Sequence, residues 1–194
     1  MALTLRRLLS SATRRHLSTS SASASVVPRL FGGMPLTSGG GPETCEKAMA
    51  TFEAWHRALE TMDGTLLRPH VHDACEFRPP TYFKPWEGGD EFVMLIDTVA
   101  KVFGPSFTYT RQFLSDDGRD WALEFHADIA ETGKRLEGID MVRLDEDGKI
   151  VDFAVLARPP NAVAALKDEM MRRVPPRLAA LKVKQAASAL NPFA

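Results

Sequence analysis

The order of patterns along this chain predicts an α+β fold, with helices packed on one face of a curved antiparallel sheet. Three observations carry that expectation. Helical periodicity is confined to stretches before residue 104 and after residue 160. Between them run consecutive segments in which apolar and polar residues alternate, the period of half-buried strands. Two acidic-glycine turns, Asp116-Asp117-Gly118 and Asp145-Glu146-Asp147-Gly148, separate pairs of these segments and mark hairpins.

Taken in order, residues 43–62 place Ala48, Phe52, Trp55 and Leu59 at helical spacing, and Asp63-Gly64 ends that helix. A short second helix is expected over 64–72. Ala74–Phe77 is a strand candidate closed by Arg78-Pro79-Pro80. After Glu87-Gly88-Gly89 a strongly periodic helix sets Phe92, Leu95, Ile96, Val99 and Phe103 on one side, and Gly104-Pro105 stops it. In Phe107–Leu114 the alternation groups Phe107, Tyr109, Arg111 and Phe113 on one face. Trp121–Ile129 puts Trp121, Leu123, Phe125, Ala127 and Ile129 on one face and Glu124, His126 and Asp128 on the other. Segments 135–144 and 150–157 form the last hairpin. The tail, 161–190, reads as helix with a break at Val174-Pro175-Pro176.

The chain has 194 residues, 44% hydrophobic and 25% charged, with 24 Lys and Arg against 25 Asp and Glu. That composition excludes disordered and collagen-like classes, and two cysteines, Cys45 and Cys75, cannot make a disulfide framework. No apolar run reaches the roughly 18 residues that a membrane-spanning helix needs. The net charge of −1 conceals an asymmetry. Five of the 24 bases, all Arg, lie in residues 1–42, which hold no acid; 19 bases against 25 acids remain, a net of −6. An acidic body disfavours nucleic-acid binding.

Residues 1–25 are Arg-rich, Ser-rich and free of acid, the composition of an organelle transit peptide. Arg15-His16-Leu17-Ser18-Thr19 resembles a mitochondrial processing site, which would start the mature chain near Ser18 or Thr19. The mitochondrial matrix is the expected destination, with the plastid as the alternative. The expected organisation is a leader over 1–25, a flexible linker over 26–42, one domain over 43–160, and a helical extension over 161–194.

Trp55 to Asp63, His72-Asp73-Ala74 leading into a strand, and the run Gly138-Ile139-Asp140 through Asp147-Gly148-Lys149-Ile150 together resemble the nuclear transport factor 2-like superfamily, in its SnoaL-like branch. The resemblance implies a cone in which a bent antiparallel sheet wraps round N-terminal helices and encloses a pocket. It implies function poorly, since that cone serves isomerases, cyclases, dehydratases, epoxide hydrolases and non-catalytic binders. The ketosteroid isomerases of this superfamily use a helix-1 tyrosine, an aspartate base just before a proline after the first strand, and a protonated aspartate on a later strand. The matching positions here are Trp55, Arg78 before Pro79, and Asp140. Only the aspartate is kept, and an arginine cannot abstract a proton near neutral pH. That chemistry is therefore not carried over.

Asp140 is the candidate catalytic residue. By period 2 it shares a face with Leu136, Gly138, Val142 and Leu144, facing Val151, Phe153, Val155 and Ala157 of the next strand. A carboxyl in such company must be hydrogen-bonded, paired or protonated, and Arg78 and Arg111 are candidate partners. An Asp–Arg pair would resemble the superfamily's epoxide hydrolases. An ordinary buried structural network is the competing reading. The loop from Phe77 to Trp86, rich in prolines and aromatics, is expected at the pocket mouth and suits a flat apolar ligand. The expected ligand-contacting residues are Trp55, His70, Phe77, Arg78, Tyr82, Trp86, Phe113, Phe125 and Phe153.

His70, His72 and Asp73 sit at a helix end, where i and i+2 positions do not face each other, so no metal site is expected. A base at His70 or His72 competes with simple capping of the helix end. No motif calls for a cofactor. Glu124, His126 and Asp128 are expected on the convex sheet face, as a solvated stripe or the interface of a homodimer. The basic tail, Arg172-Arg173, Arg177, Lys182 and Lys184, is expected to dock on the domain, with a membrane surface or a partner as alternatives. Two readings of function stand. One is a small-molecule enzyme or binder of isomerase, hydrolase or cyclase type, acting on an apolar ligand anchored at Asp140. The other is a non-catalytic dimerisation or assembly subunit of a mitochondrial complex.

Overall fold

A computed structural model describes residues 42–190. The expected leader and nearly all of the linker lie outside the described residues. Helix α1 (Pro42–Glu60) and a 3-10 segment (Gly64–His70) are followed by β1 (Val71–Arg78), the short β2 (Trp86–Glu87) and α2 (Gly89–Phe103). The meander β3 (Thr108–Leu114), β4 (Asp120–Ile129), β5 (Lys134–Leu144) and β6 (Ile150–Arg158) leads into α3 (Pro160–Leu190).

The six strands form one sheet in the order β2-β1-β6-β5-β4-β3. The expected purely antiparallel sheet is corrected to a mixed one, because β1 pairs parallel with β6. A strand placed before the helix-and-meander block returns to the edge β6 leaves open, and the intervening chain is long enough for a parallel crossover. Three irregularities in register, in β1, β3 and at the β5–β6 end, curve the sheet.

On β4 the expected alternation holds: Trp121, Leu123, Phe125, Ala127 and Ile129 are all buried. On β6 the face differs by one residue. Leu144 pairs with Ile150 and Arg143 with Asp152, so Val151 is the extra residue and Ile150 takes the core position. Residues expected at the end of a second helix are also reassigned, since His72 and Asp73 belong to β1. Pro69 lies inside the preceding segment and has no N–H to extend it.

The core has two parts. One gathers α1, α2 and the sheet around Trp55, whose ring lies 5.0 Å from Phe153 and 6.5 Å from Phe92. The other joins Phe125, Ile129 and Leu136 to Ala162, Ala165 and Leu166 of α3. The hairpin turn before β6 docks on α1. Gly148 adopts φ +73°, and a Cβ there would come within 2.7 Å of the Lys47 carbonyl carbon, so both conformation and space require glycine. Thr51 Oγ1 donates to the Gly148 carbonyl at 2.6 Å.

The expected break at Pro175-Pro176 does not occur; both prolines lie inside an uninterrupted α3. Each removes a helical hydrogen bond, a cost of about 3 kcal/mol or more in an ordinary helix interior. Tertiary contacts offset it on both sides of the prolines. Leu166, Glu169 and Val174 are buried before them, and after them Arg177 pairs with Asp97 and Lys182 with Glu91, both on α2. Burial works to raise the Asp97 carboxyl, but hydrogen bonds from Lys101, Arg177 and the Gly64 N–H outweigh it and hold the group below its ordinary value. The basic tail is thus a docked helix. Among the described residues, no helix is long and apolar enough to cross a membrane.

Candidate functional site

Between α1, α2, α3 and the concave sheet face lies a cavity of about 680 Å³, lined overwhelmingly by apolar and aromatic side chains. Trp55 reaches it from α1, Phe125, Asp140 and Phe153 from the sheet, and Phe77, Tyr82 and Trp86 from β1 and the loop that follows. Met170, Met171, Val174 and Leu178 of α3 form a further wall. Tyr82 holds the loop to that wall by donating its hydroxyl to Met171 Sδ.

Asp140 sits at the polar centre, 5% exposed. Its carboxylate Oδ2 accepts from the Tyr109 hydroxyl at 2.7 Å, and Tyr109 Oη accepts from Trp55 Nε1 at 2.8 Å. Burial pushes the Asp140 carboxyl up to about 7, while the Tyr109 hydrogen bond pulls the other way. Tyr109 is itself raised well above the ordinary value, first by burial and then by the adjacent Asp140 charge. Close to neutrality Asp140 therefore interconverts between an acid that donates and a carboxylate that accepts.

Three of the expected ligand-contacting residues lie elsewhere. Arg78 is on the outer side of β1, where its Nε donates to Asp152 Oδ1 at 3.1 Å, so it neither reaches the cavity nor pairs with Asp140. Arg111 pairs with Glu124 across the outer face. His70 Nδ1 lies 2.9 Å from Thr51 Oγ1, in the packing between α1 and the segment ahead of β1, and is outside the cavity lining. Phe113 is 56% exposed. Its displacement has a clear cause. Tyr109 pairs with Phe125 and Arg111 with Glu124, so one extra residue is bulged out between them. Beyond the bulge the faces exchange: Gln112 and Leu114 turn inward, and Phe113 turns outward under the Arg111 guanidinium.

The same bulge brings in a residue that strict alternation hides. Gln112 lines the cavity, and so does His56, the neighbour of Trp55 on α1. His56 Nδ1 lies 2.9 Å from the Phe52 carbonyl oxygen. A carbonyl only accepts, so Nδ1 carries a proton, and in the neutral ring Nε2 keeps its lone pair. Among the described residues, His56 Nε2 and Gln112 Oε1 are the two buried side-chain atoms without a hydrogen-bond partner. Leaving such an atom unsatisfied costs about 1–3 kcal/mol. Tyr109, His56 and Gln112 are not among the residues that the sequence pattern assigns to the site. Helical spacing marks His56 as a neighbour of the core, but nothing local marks the bulge. Among the described residues no three His, Cys, Asp or Glu side chains converge to hold a metal ion.

The family model for the SnoaL-like domain matches residues 52–153, from α1 through Phe153. The chain belongs to the SnoaL-like family. It is similar to a steroid delta-isomerase from Pseudomonas aeruginosa, with 42% identity over 69% of this chain and 95% of that one, at a TM-score of 0.63. A conserved bacterial protein with a cystatin-like fold from Silicibacter pomeroyi is 34% identical over 70% of this chain and 93% of that one, at 0.62. A nuclear transport factor 2-like protein of unknown function from Mesorhizobium loti shares the fold at 16% identity and 0.53, covering 61% of this chain and 97% of its own. No curated protein matches the chain significantly. The α3 wall of the cavity lies beyond the matched SnoaL-like segment.

Proposed function

We propose that this chain binds a flat, apolar small molecule in the cavity, with Asp140 as its polar anchor. The observation that carries the reading is a carboxyl set in an apolar cavity large enough for a drug-sized ligand, with one side-chain partner, Tyr109. In its protonated form Asp140 donates a hydrogen bond to a ligand carbonyl. The likeness to a steroid delta-isomerase supports a carbonyl-bearing ligand and isomerase-type binding. Arg78, at the position expected to hold a base, is outside the cavity, which is why the reading is of binding at Asp140 and not of that isomerase's chemistry. The assembly-subunit reading is disfavoured, because the cone is not filled by its aromatic residues.

Trp55 and Trp86 both line the cavity, so ligand entry should quench tryptophan fluorescence. Titration with a 3-oxo-4-ene steroid should show binding, and the counterpart without the oxo group should bind at least 10-fold more weakly. Asp140→Leu, which keeps bulk and removes the donor, should erase that difference. Absence of quenching by either steroid would sink the reading.

We further propose that two copies pair through the outer sheet face. There Phe113, Ala122, Met141 and Ala154 fall in one row across four strands, with Ile139 and Leu156 in the next. Ion pairs of alternating sign, Arg111–Glu124, Arg143–Asp120 and Arg158–Glu137, rim this strip and suit a two-fold interface. The Arg-rich leader supports a mitochondrial matrix address for the protein.

A further inference from the structure

We propose that His56 and Gln112 form a second polar subsite, separate from Asp140, that receives a hydrogen-bond donor of the ligand, a hydroxyl first of all. This rests on the reading of the cavity as a ligand site and specifies what the ligand must carry.

Among the described residues two buried side-chain atoms lack partners, His56 Nε2 and Gln112 Oε1. Native proteins pair nearly all such atoms, and an exception calls for a cause. Both exceptions belong to residues lining the same cavity. Both are acceptors: the Phe52 carbonyl fixes the His56 proton on Nδ1 and leaves Nε2 its lone pair, and Gln112 Oε1 is an amide oxygen. Two acceptors favour an O–H or N–H and disfavour a carbonyl or carboxylate at that end. Asp140 offers the opposite polarity when protonated.

Across the sheet Gln112 is in register with Leu123 and Leu123 with Asp140, so one strand, β4, stands between the two subsites. The His56 ring lies between Phe52, at 4.4 Å, and Tyr109, at 5.7 Å, so its orientation is set by packing on both sides. Tyr109 spends its proton on Asp140 and its lone pair on Trp55, and makes no hydrogen bond to His56. On β3 the bulge is what turns Gln112 inward, and a bulge beside a cavity is a recurrent means of re-aiming one side chain. Neither residue is needed for the core, as both are only half-buried.

The test uses 2-naphthol and 2-methoxynaphthalene, which share a flat apolar body and differ in the donor. The wild-type chain should bind 2-naphthol at least 10-fold more tightly by tryptophan quenching. His56→Phe and Gln112→Leu should each reduce that preference at least 5-fold, leave 2-methoxynaphthalene binding unchanged or tighter, and hold or raise Tm. Nitrogen NMR should show wild-type His56 with its proton on Nδ1, and the Nε2 resonance should move towards its hydrogen-bonded range with 2-naphthol. If Asp140→Leu removes the preference while both other variants keep it, the subsite is overturned and the cavity reading stands. If neither naphthalene binds while the 3-oxo-4-ene steroid does, the subsite is overturned and the cavity reading stands; if the steroid does not bind either, both fall. Should His56→Phe fail to fold, Gln112→Leu and the NMR shift decide alone.

Discussion

Asp140 keeps a proton that the unfolded chain would release. Its folded value of about 7 lies above the ordinary 3.8. Between about pH 4 and pH 7 the unfolded state therefore binds fewer protons, and stability falls as pH rises through that window. At about 1.4 kcal/mol for each pH unit, the loss amounts to up to about 4 kcal/mol. Asp140→Asn accepts from Tyr109 as the carboxylate does and does not titrate. Urea unfolding at pH 4.5 and 7.5 should show its stability gaining on the wild type by several kcal/mol at the higher pH. Parallel profiles would mean that the carboxyl is ionised at no cost. Carboxylates held low, such as Asp117 and Glu124 at about 2, act below this window and are common to both proteins.

At the scale of elements, α3 is the part whose local sequence disagrees most with its conformation. Two prolines sit in its interior, and packing against α2 and the sheet holds the helix through them. Pro176 is exposed and outside the cavity lining. Pro176→Ala should therefore restore a helical hydrogen bond without touching the cavity, and stabilise the protein by about 1–3 kcal/mol in thermal unfolding. A lowered Tm would show that the backbone is shaped around the proline and not strained by it. The strands make the complementary point. Alternation placed all of β4 correctly because β4 is regular, and misplaced Phe113, Gln112 and Val151 because β3 and the β5–β6 end are not. Period 2 carries no memory of an inserted residue, so every position beyond a bulge changes face.

At the scale of the molecule, the interior encloses an apolar cavity while the outer sheet face exposes apolar residues. The cavity is closed on one side by residues beyond the SnoaL-like match, so α3 sets the shape of that wall. The outer face carries apolar residues that a single copy leaves in water, among them Phe113, Met141 and Leu156. Native mass spectrometry of protein recovered from mitochondria should show a dimer of chains starting near Ser18 or Thr19. Met141→Glu should give monomers, since it sets a charge in the middle of the strip on both copies. A monomeric wild type would remove the dimer reading and leave the cavity untouched.

Legible in the residues alone are the α+β order, both acidic-glycine turns, the inner faces of β4 and β5, and Asp140 as a carboxyl in apolar company. Each of these is written in spacing over a few residues, or in turn chemistry that neighbours do not alter. Long-range packing sets the rest: the parallel pairing of β1 with β6, the continuity of α3, the exclusion of Arg78 and His70 from the cavity, and the meeting of Tyr109, His56 and Gln112 there. Those outcomes depend on which distant surfaces find each other and on one extra residue in β3. Local periodicity is blind to both, because the energy that settles them comes from packing across the chain.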